Sequence, residues 1–275
     1  MAGFFGFMDY TKPGPGVPKD APPKARIIVF FEIYLRKFWN LVKMNLLFNL
    51  FNIPAVIAMF FISGFYIRNI IANEPLVDLL SRFSVGTVFL CIPLITFGPA
   101  QAGLTYVMRN YAREEHAFLW SDFKEHGLKN FKQGLIISLI DCLVVLVMGI
   151  AMNFYTSIEG GGLLLSIPTG ILIISFILFL MMHMYIYPML VTFELTIKDI
   201  YKNAFIFSII KFIPNLGILL LCAVLVFATF FFFPVVGMVL YLFITVSTIS
   251  LLINFFVYPS LKKYIMDKIE EDCSQ

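Results

Sequence analysis

Charged residues are scarce in this chain, and their scarcity decides its class. Asp, Glu, Lys and Arg together make up 13% of the 275 residues, whereas a soluble domain usually has about 25%. Because a soluble fold needs a polar surface, the composition excludes a soluble globular domain and predicts a membrane protein. The length allows one membrane domain with no sizeable soluble domain beside it.

Cysteine and catalytic motifs are also in short supply. The four cysteines have no partners at metal-ligand spacing, which argues against a zinc site or a disulfide framework. The sequence has no His-Glu-x-x-His pair, Gly-x-Ser-x-Gly turn or phosphate-binding glycine loop, and no basic-aromatic pattern that indicates nucleic acid. We therefore predict a protein that is not an enzyme and has no catalytic residue, cofactor, metal or nucleic-acid partner.

Hydrophobic runs are what the chain has in abundance. Hydrophobic residues make up 60% of it, and Phe alone contributes 32. Six runs reach the roughly 20 residues that a helix needs to cross a bilayer. They lie near 44–66, 83–107, 134–157, 163–187, 213–233 and 234–258. Because long continuous runs favour helices over the short alternating strands of a barrel, the predicted fold is an all-α polytopic bundle of about six transmembrane helices.

The basic residues predict the orientation of this bundle, because flanks that stay cytoplasmic retain Lys and Arg. Eighteen of the twenty Lys and Arg residues lie before the first run, in the loop 108–133, in 189–212 or in the C-terminal tail. The two exceptions are Arg68 and Arg82. We expect a plasma-membrane protein with both termini and both long loops in the cytoplasm. Its predicted parts are a flexible tail at 1–23, one membrane domain at 24–258 and a charged cytoplasmic tail at 259–275.

The longest polar interruption between hydrophobic runs is 98–133. Gly98 and Pro99 should break the second run, although a kink that only redirects the helix into the cytoplasm explains them equally well. A new helix is expected at Asp122, whose carboxylate would cap it while Glu125 completes a capping box. The charged side chains of this segment are candidates for docking a partner: Arg109, Arg113, Glu114, Glu115, Asp122 and Lys124.

Two other segments are predicted to form amphipathic cytoplasmic helices. Residues 24–43 are expected to lie along the membrane interface before the chain turns into the first span. In 189–212, Glu194, Lys198 and Lys202 would share one helix face at i, i+4 spacing. Glu194 and Asp199 are the candidate docking residues of this second segment.

Asp141 is the charged residue that lies deepest inside a predicted span, roughly 12 Å along the helix from Gln133. An ionised carboxylate there costs about 2.5–3.5 kcal/mol, so it should face the interior and be paired or protonated. It is either a proton or cation site or a carboxyl group that bonds neighbouring helices. Three asparagines form a stripe along one face of the first span: Asn45, Asn49 and Asn52. The stripe either lines a polar path towards Asp141 or fixes helix packing through amide hydrogen bonds.

Four stretches carry a resemblance to a known family. They are the aromatic start at 4–10, the Pro-Leu-Ile-Thr-Phe-Gly-Pro-Ala-Gln-Ala-Gly-Leu-Thr-Tyr of 92–106, the block 113–133, and 187–205 with Tyr-Pro-Met-Leu-Val-Thr-Phe-Glu and Lys-Asn-Ala-Phe. In order and content they resemble the YesL-like family of bacterial membrane proteins, which is largely uncharacterised. Its members tend to be encoded beside carbohydrate-utilisation systems. The resemblance therefore implies an accessory role in carbohydrate uptake, with an ATP-driven sugar importer as partner.

Two functions are compatible with these residues. The first is a non-enzymatic accessory or regulatory protein that sits in the lipid bilayer and docks partners through 108–133 and 189–212, where the chain places most of its polar residues. The spacing of Glu194 and Asp199 also resembles that of the helix through which importer permeases contact their ATPase. The alternative is a small-solute or ion-coupled transporter with a midplane site around Asp141 and the asparagine stripe.

Overall fold

The computed structural model describes residues 24–66, 96–158, 162–232 and 234–266, together with 75, 77 and 78. Within these ranges the chain is helical and contains no strand, so the predicted all-α class is confirmed. The helices are α1 (Arg26–Phe51), α2 (Ile53–Tyr66), α3 (Gly98–Ala112), α4 (Leu119–Lys129), α5 (Phe131–Ser157), α6 (Gly162–Leu190), α7 (Ile197–Ile210), α8 (Phe212–Phe232), α9 (Pro234–Leu240) and α10 (Val246–Leu261). Two π-helices, π1 (Tyr241–Thr245) and π2 (Lys262–Met266), precede and follow α10.

Several of these helices are long and apolar enough to cross a membrane. Three qualify alone, over Phe131–Tyr155, Ser166–Leu190 and Val235–Met266. Two bent pairs qualify jointly, α1 with the start of α2 at 63° and α7 with most of α8 at 96°. The described part of the chain thus has three candidate spans, or up to five if each bent pair is one span. The count of six stays a prediction, and residues 83–95 of the second predicted run lie outside the described ranges.

The first bend is not where the sequence placed it. The prediction that the chain turns into the first span after residue 43 was wrong, because α1 continues without interruption to Phe51. That 24–43 lies along the membrane interface stays a prediction. The chain bends instead at Asn52, between α1 and α2. Pro54 accounts for this position, because it has no N–H to donate and its ring clashes with the carbonyl of Leu50 one turn earlier.

The second bend is the corner between α7 and α8 at Lys211. Pro214 cannot donate to the carbonyl of Ile210, so the helix cannot continue straight through this point. Asn215 stabilises the corner, since its amide donates to the carbonyl of Phe207 at 3.1 Å and its oxygen accepts from the Tyr185 hydroxyl at 2.7 Å. Because Tyr185 belongs to α6, this second hydrogen bond fixes the corner to α6.

The helix α3 lies at the centre of the fold. All its residues except Tyr106 and Arg109 are buried, and it packs against α1, α4, α5, α6 and α10. Small residues let its backbone approach its neighbours closely. A Cβ atom on Gly98 would lie 1.8 Å from the Gly134 carbonyl oxygen, and one on Gly103 would lie 2.4 Å from the Phe123 carbonyl oxygen. Gly98 and Pro99 thus form the first turn of a helix, in tight contact with α5.

Candidate functional site

A buried acid–base pair joins α5 to α6. Asp141 Oδ1 lies 2.8 Å from His183 Nε2, and both side chains are almost completely inaccessible. An isolated charge in such surroundings costs several kcal/mol, whereas a close partner of opposite charge offsets much of that cost. The deep carboxylate therefore faces the bundle interior and has a partner there.

Hydrogen bonding determines how many protons the pair holds. His183 Nδ1 lies 2.9 Å from the Phe179 carbonyl oxygen, which can only accept, so Nδ1 carries a proton. A neutral ring would then present the lone pair of Nε2 to Asp141 Oδ1, and two acceptors repel each other at that distance. One more proton must therefore reside on the pair, either on Nε2 or on the carboxyl group. That second proton is shared between Nε2 and the carboxyl group, and the pair has no net charge.

Other polar groups surround this pair. The Tyr201 hydroxyl on α7 donates to Asp141 Oδ1 at 3.2 Å, while Asp141 Oδ2 has no hydrogen-bond partner among the described residues. Beside His183 lies a cavity of about 10 Å³, which has room for about one water molecule. Its polar lining consists of Gln101, Thr105, His183, Tyr187, Ser250 and Asn254. Helices α3, α6 and α10 thus line a small pocket next to the pair.

The asparagine stripe of α1 binds backbone rather than the acid–base pair. Asn45 donates to the carbonyls of Tyr241 and Leu242 at 2.8 and 2.7 Å and accepts from the Ser247 N–H at 2.9 Å. Asn49 donates to the Leu242 carbonyl at 3.0 Å. A π-helix leaves carbonyls out of the ordinary i→i−4 pattern, and the two amides satisfy those of π1.

Asn52, the third member of the stripe, has a different partner. Its side-chain oxygen accepts from the Phe97 N–H at 2.6 Å, which belongs to the residue just before α3. The next N–H, of Gly98, donates to the Ser138 hydroxyl at 2.6 Å. Two N–H groups at the start of α3, which have no partner within the helix, are thus satisfied by the junction between α1 and α2 and by α5.

Arg109 joins the two polar segments 108–133 and 189–212. Its guanidinium donates to the Val191 carbonyl at 2.9 Å and lies 4.3 Å from the centre of the Tyr106 ring. Tyr106 also stacks on His126 of α4, with ring centres 3.3 Å apart. Burial lowers the pKa of His126, and the neighbouring Arg109 charge lowers it further. The arginine therefore holds the fold together and is engaged within the chain.

Two more contacts connect the same segments. The Gln133 side-chain amide donates to the Leu195 carbonyl at 3.1 Å, and Lys129 Nζ lies 3.8 Å from Glu194 Oε1 with both side chains exposed. The exposed pair contributes little energy, whereas the partly buried hydrogen bonds of Arg109 and Gln133 to backbone carbonyls fix the geometry. The two segments therefore form one continuous layer, which we call the polar layer (108–133 and 191–198).

The remaining docking candidates of 108–133 are placed as follows. Arg113 lies over the Tyr258 ring at 4.8 Å, and Glu114 pairs with Arg36 at 3.0 Å on the surface. Glu115 and Lys124 are exposed. Glu114 also has a φ of 60°, a backbone conformation that non-glycine residues seldom adopt, at the tight turn that ends α3.

Two local predictions about the polar layer were wrong. The helix expected at Asp122 begins at Leu119 instead, and the Asp122 carboxylate reaches back to accept the Phe118 N–H at 2.9 Å. Glu194 does not share a helix face with Lys198, because α6 ends at Leu190 and α7 begins only at Ile197. Thr196 is the actual cap of α7, since its hydroxyl oxygen accepts the Asp199 N–H at 3.2 Å.

His183 is not evident as a site residue from the sequence. A single histidine within an apolar run has no local pattern that points to a partner. The signal available was indirect: a deep carboxylate needs a cation or a donor, and His183 is the histidine that lies within a predicted span. Among the described residues no three His, Cys, Asp or Glu side chains are grouped to hold a metal ion.

The sequence comparison identifies one partial family match. Residues 33–152 match a family described as a protein of unknown function, DUF624. The matched range runs from α1 into α5, so it includes Asp141 and the start of the polar layer and ends before His183 and Tyr201. No curated protein and no solved structure matches the chain.

Proposed function

We propose that this protein is a non-enzymatic accessory or regulatory component of a membrane complex, and that it docks its partner through the polar layer. The observation that carries the proposal is the joining of two segments, distant in sequence, by Arg109 and Gln133. A surface that two segments share keeps its shape, and a preformed surface lowers the entropy cost of binding. Exposed charges from both segments line it, including Lys132 and Lys198.

The finer parts of the proposal rest on the sequence. The basic residues favour a cytoplasmic position for the layer and for both termini of a six-span protein in the plasma membrane. The resemblance to the YesL-like bacterial proteins supplies the suggestion that the partner belongs to an ATP-driven sugar importer. Charged residues of a partner that are opposite in sign to those at the edge of the polar layer would increase the specificity of binding more than its affinity.

Charge reversal of exposed residues tests this docking better than changes at Arg109 or Arg113, which contact the fold itself. We would compare Lys132→Glu combined with Lys198→Glu against the wild type, with exposed Lys262→Glu outside the layer as control. After cross-linking in the native membrane and mild solubilisation, recovery of importer subunits should fall at least about fivefold for the double variant only, since rim charges act on association. Equal recovery from all three proteins would contradict docking through this layer.

A second candidate function is favoured by the buried pair. Asp141 and His183 share one proton in a buried position, and proton-coupled transporters place such groups near the midplane. The test is proton uptake into proteoliposomes, read with an internal pH-sensitive dye, when a panel of sugars is added outside. Asp141→Asn should abolish a sugar-dependent signal that Asp122→Asn retains. Uptake by Asp141→Asn at the wild-type rate would remove this candidate.

A further inference from the structure

Three cationic side chains from separate parts of the chain line one pocket. Arg26 comes from the start of α1, Lys211 from the corner between α7 and α8, and Lys263 from π2. The pocket has a volume of about 220 Å³. Among the described residues that line it none is acidic; the others are Pro214, Phe256, Pro259, Ser260 and Tyr264. Like charges that converge repel one another, so this arrangement of described residues favours an anion.

The proline in α10 explains how Arg26 is held. Pro259 has no N–H, so the carbonyl of Phe255 one turn earlier has no partner within the helix. Arg26 Nη2 donates to that carbonyl at 2.5 Å, and its guanidinium lies 5.0 Å from the centre of the Phe255 ring. A guanidinium has five N–H donors, so donors remain for a second acceptor while the group stays in place.

The two lysines are gathered around one aromatic ring. The ammonium groups of Lys211 and Lys263 lie 5.6 and 5.5 Å from the centre of the Tyr264 ring. Each gains a cation–π attraction there, and each keeps donors for an anion between them. Lys211 is half-buried and Lys263 is exposed, so the site opens at the surface.

The surroundings match those of a lipid headgroup. The pocket lies where the apolar helix α8 begins and α10 ends. Large apolar side chains next to it in sequence are exposed: Ile27, Ile28, Phe212 and Ile213. A cationic pocket beside exposed apolar helix surface suits a molecule with an anionic head and hydrocarbon tails, and basic pockets between membrane helices bind such headgroups.

We propose that this pocket binds a phosphate group carried by an anionic membrane lipid. The phosphate oxygens would accept from Arg26, Lys211 and Lys263, and the acyl chains would lie along the exposed faces of α1 and α8. The proposal depends on membrane insertion and does not depend on docking through the polar layer. A variant that loses lipid binding at this pocket should still dock its partner, and a variant that loses docking should still bind the lipid.

Native mass spectrometry of the full-length protein in detergent provides the test. The double variant Lys211→Gln with Lys263→Gln is compared with the wild type, and Lys124→Gln with Lys129→Gln serves as a matched control with two exposed lysines removed elsewhere. The probes are phosphatidylglycerol, phosphatidylcholine and inorganic phosphate. Each basic residue near an anionic surface is worth about fivefold in binding, so the pocket variant should lose about 25-fold in apparent affinity for phosphatidylglycerol.

Each outcome decides the matter. Retained binding of phosphatidylcholine together with weakened binding of phosphatidylglycerol in the pocket variant alone supports the proposal. Equal losses in the control variant would mean attraction by overall charge and would overturn it. Binding of inorganic phosphate without phosphatidylglycerol would assign the pocket to a soluble phosphate and overturn the lipid assignment. Unchanged melting temperatures of both variants keep a folding defect separate from a binding defect.

Discussion

The side-chain oxygen of Asn45 accepts the backbone N–H of Ser247 at 2.9 Å while its amide nitrogen donates to the carbonyls of Tyr241 and Leu242. One fully buried side chain thus spans the whole of π1. The irregular backbone of π1 persists because a residue nearly two hundred positions earlier supplies its hydrogen bonds.

Asn45→Ala should therefore destabilise the protein, because it leaves buried backbone groups of π1 unsatisfied. We expect a loss of roughly 1–3 kcal/mol. Asn49→Ala should cost clearly less, since Asn49 is only partly buried and shares the same carbonyls at 3.4 and 3.0 Å. Thermal melting of the purified protein in detergent would rank the two variants, and an equal or larger effect at Asn49 would contradict this account of π1.

The contact between Gly98 and Gly134 predicts a second stability difference. A Cβ atom on Gly134 would lie 2.8 Å from the Gly98 carbonyl carbon, so Gly134→Ala forces α3 and α5 apart. Overpacking of this kind costs about 1–3 kcal/mol. The matched control is Gly170→Ala, where nothing lies within 4 Å of the new atom and alanine gains up to about 1 kcal/mol of helix propensity. Opposite shifts in melting temperature are expected, and a stabilised Gly134→Ala would refute the close crossing.

His126 should make the polar layer sensitive to acid. Burial, its main influence, lowers the pKa of the folded imidazole below the ordinary value of 6.5. The unfolded chain then binds the proton more readily, so stability is complete above pH 6.5 and falls as the pH drops below it. His126→Phe, which keeps a ring to stack on Tyr106, should show a smaller loss of melting temperature between pH 7.5 and 5.5 than the wild type. The exposed His116→Gln is the control, and identical losses in all three proteins would count against this role.

Arg109 should protect residues 191–196 from local unfolding. From α3, Arg109 donates to the Val191 carbonyl and contacts the Thr192 hydroxyl. Arg109→Gln should therefore raise the rate of amide hydrogen exchange across 191–196 by about tenfold. This is the increase expected if a hydrogen bond worth roughly 1.5 kcal/mol is lost. Arg109→Lys should be intermediate, because an ammonium lacks the planar fork that stacks on Tyr106. Lys124→Gln serves as the exposed control. Exchange unchanged by Arg109→Gln would show that Gln133 holds the loop alone.

Parts of this fold could be predicted from sequence because they depend on local composition. The long apolar runs around Asp141 and His183 predict helices, and the depth of the carboxylate predicts that it turns inward. Helix ends were predicted less well. The start of α4 lies three residues before Asp122 because the carboxylate accepts from Phe118 behind it, and a capping pattern does not distinguish these two positions.

The pairing of distant residues was beyond the sequence. Asn45 with π1, Asp141 with His183 and Arg109 with Val191 each join residues at least forty positions apart. Nothing in the local pattern around any of them names its partner, since each contact depends on how the helices are arranged. The asparagine stripe is the clearest case: its spacing reveals a shared face but not the neighbouring helix against which that face packs.

The buried position of α3 has a consequence for biosynthesis. Its surface is lined with Gln101, Thr105 and Asn110 as well as small residues, and all of these are covered by neighbours. Among those neighbours α10 is translated more than a hundred residues later. Since chains emerge from the ribosome starting with the N-terminus, α3 is synthesised before α10, which later packs against it. A nascent chain that ends before α10 would expose amide and hydroxyl groups of α3, and these groups are covered only when α10 has been synthesised.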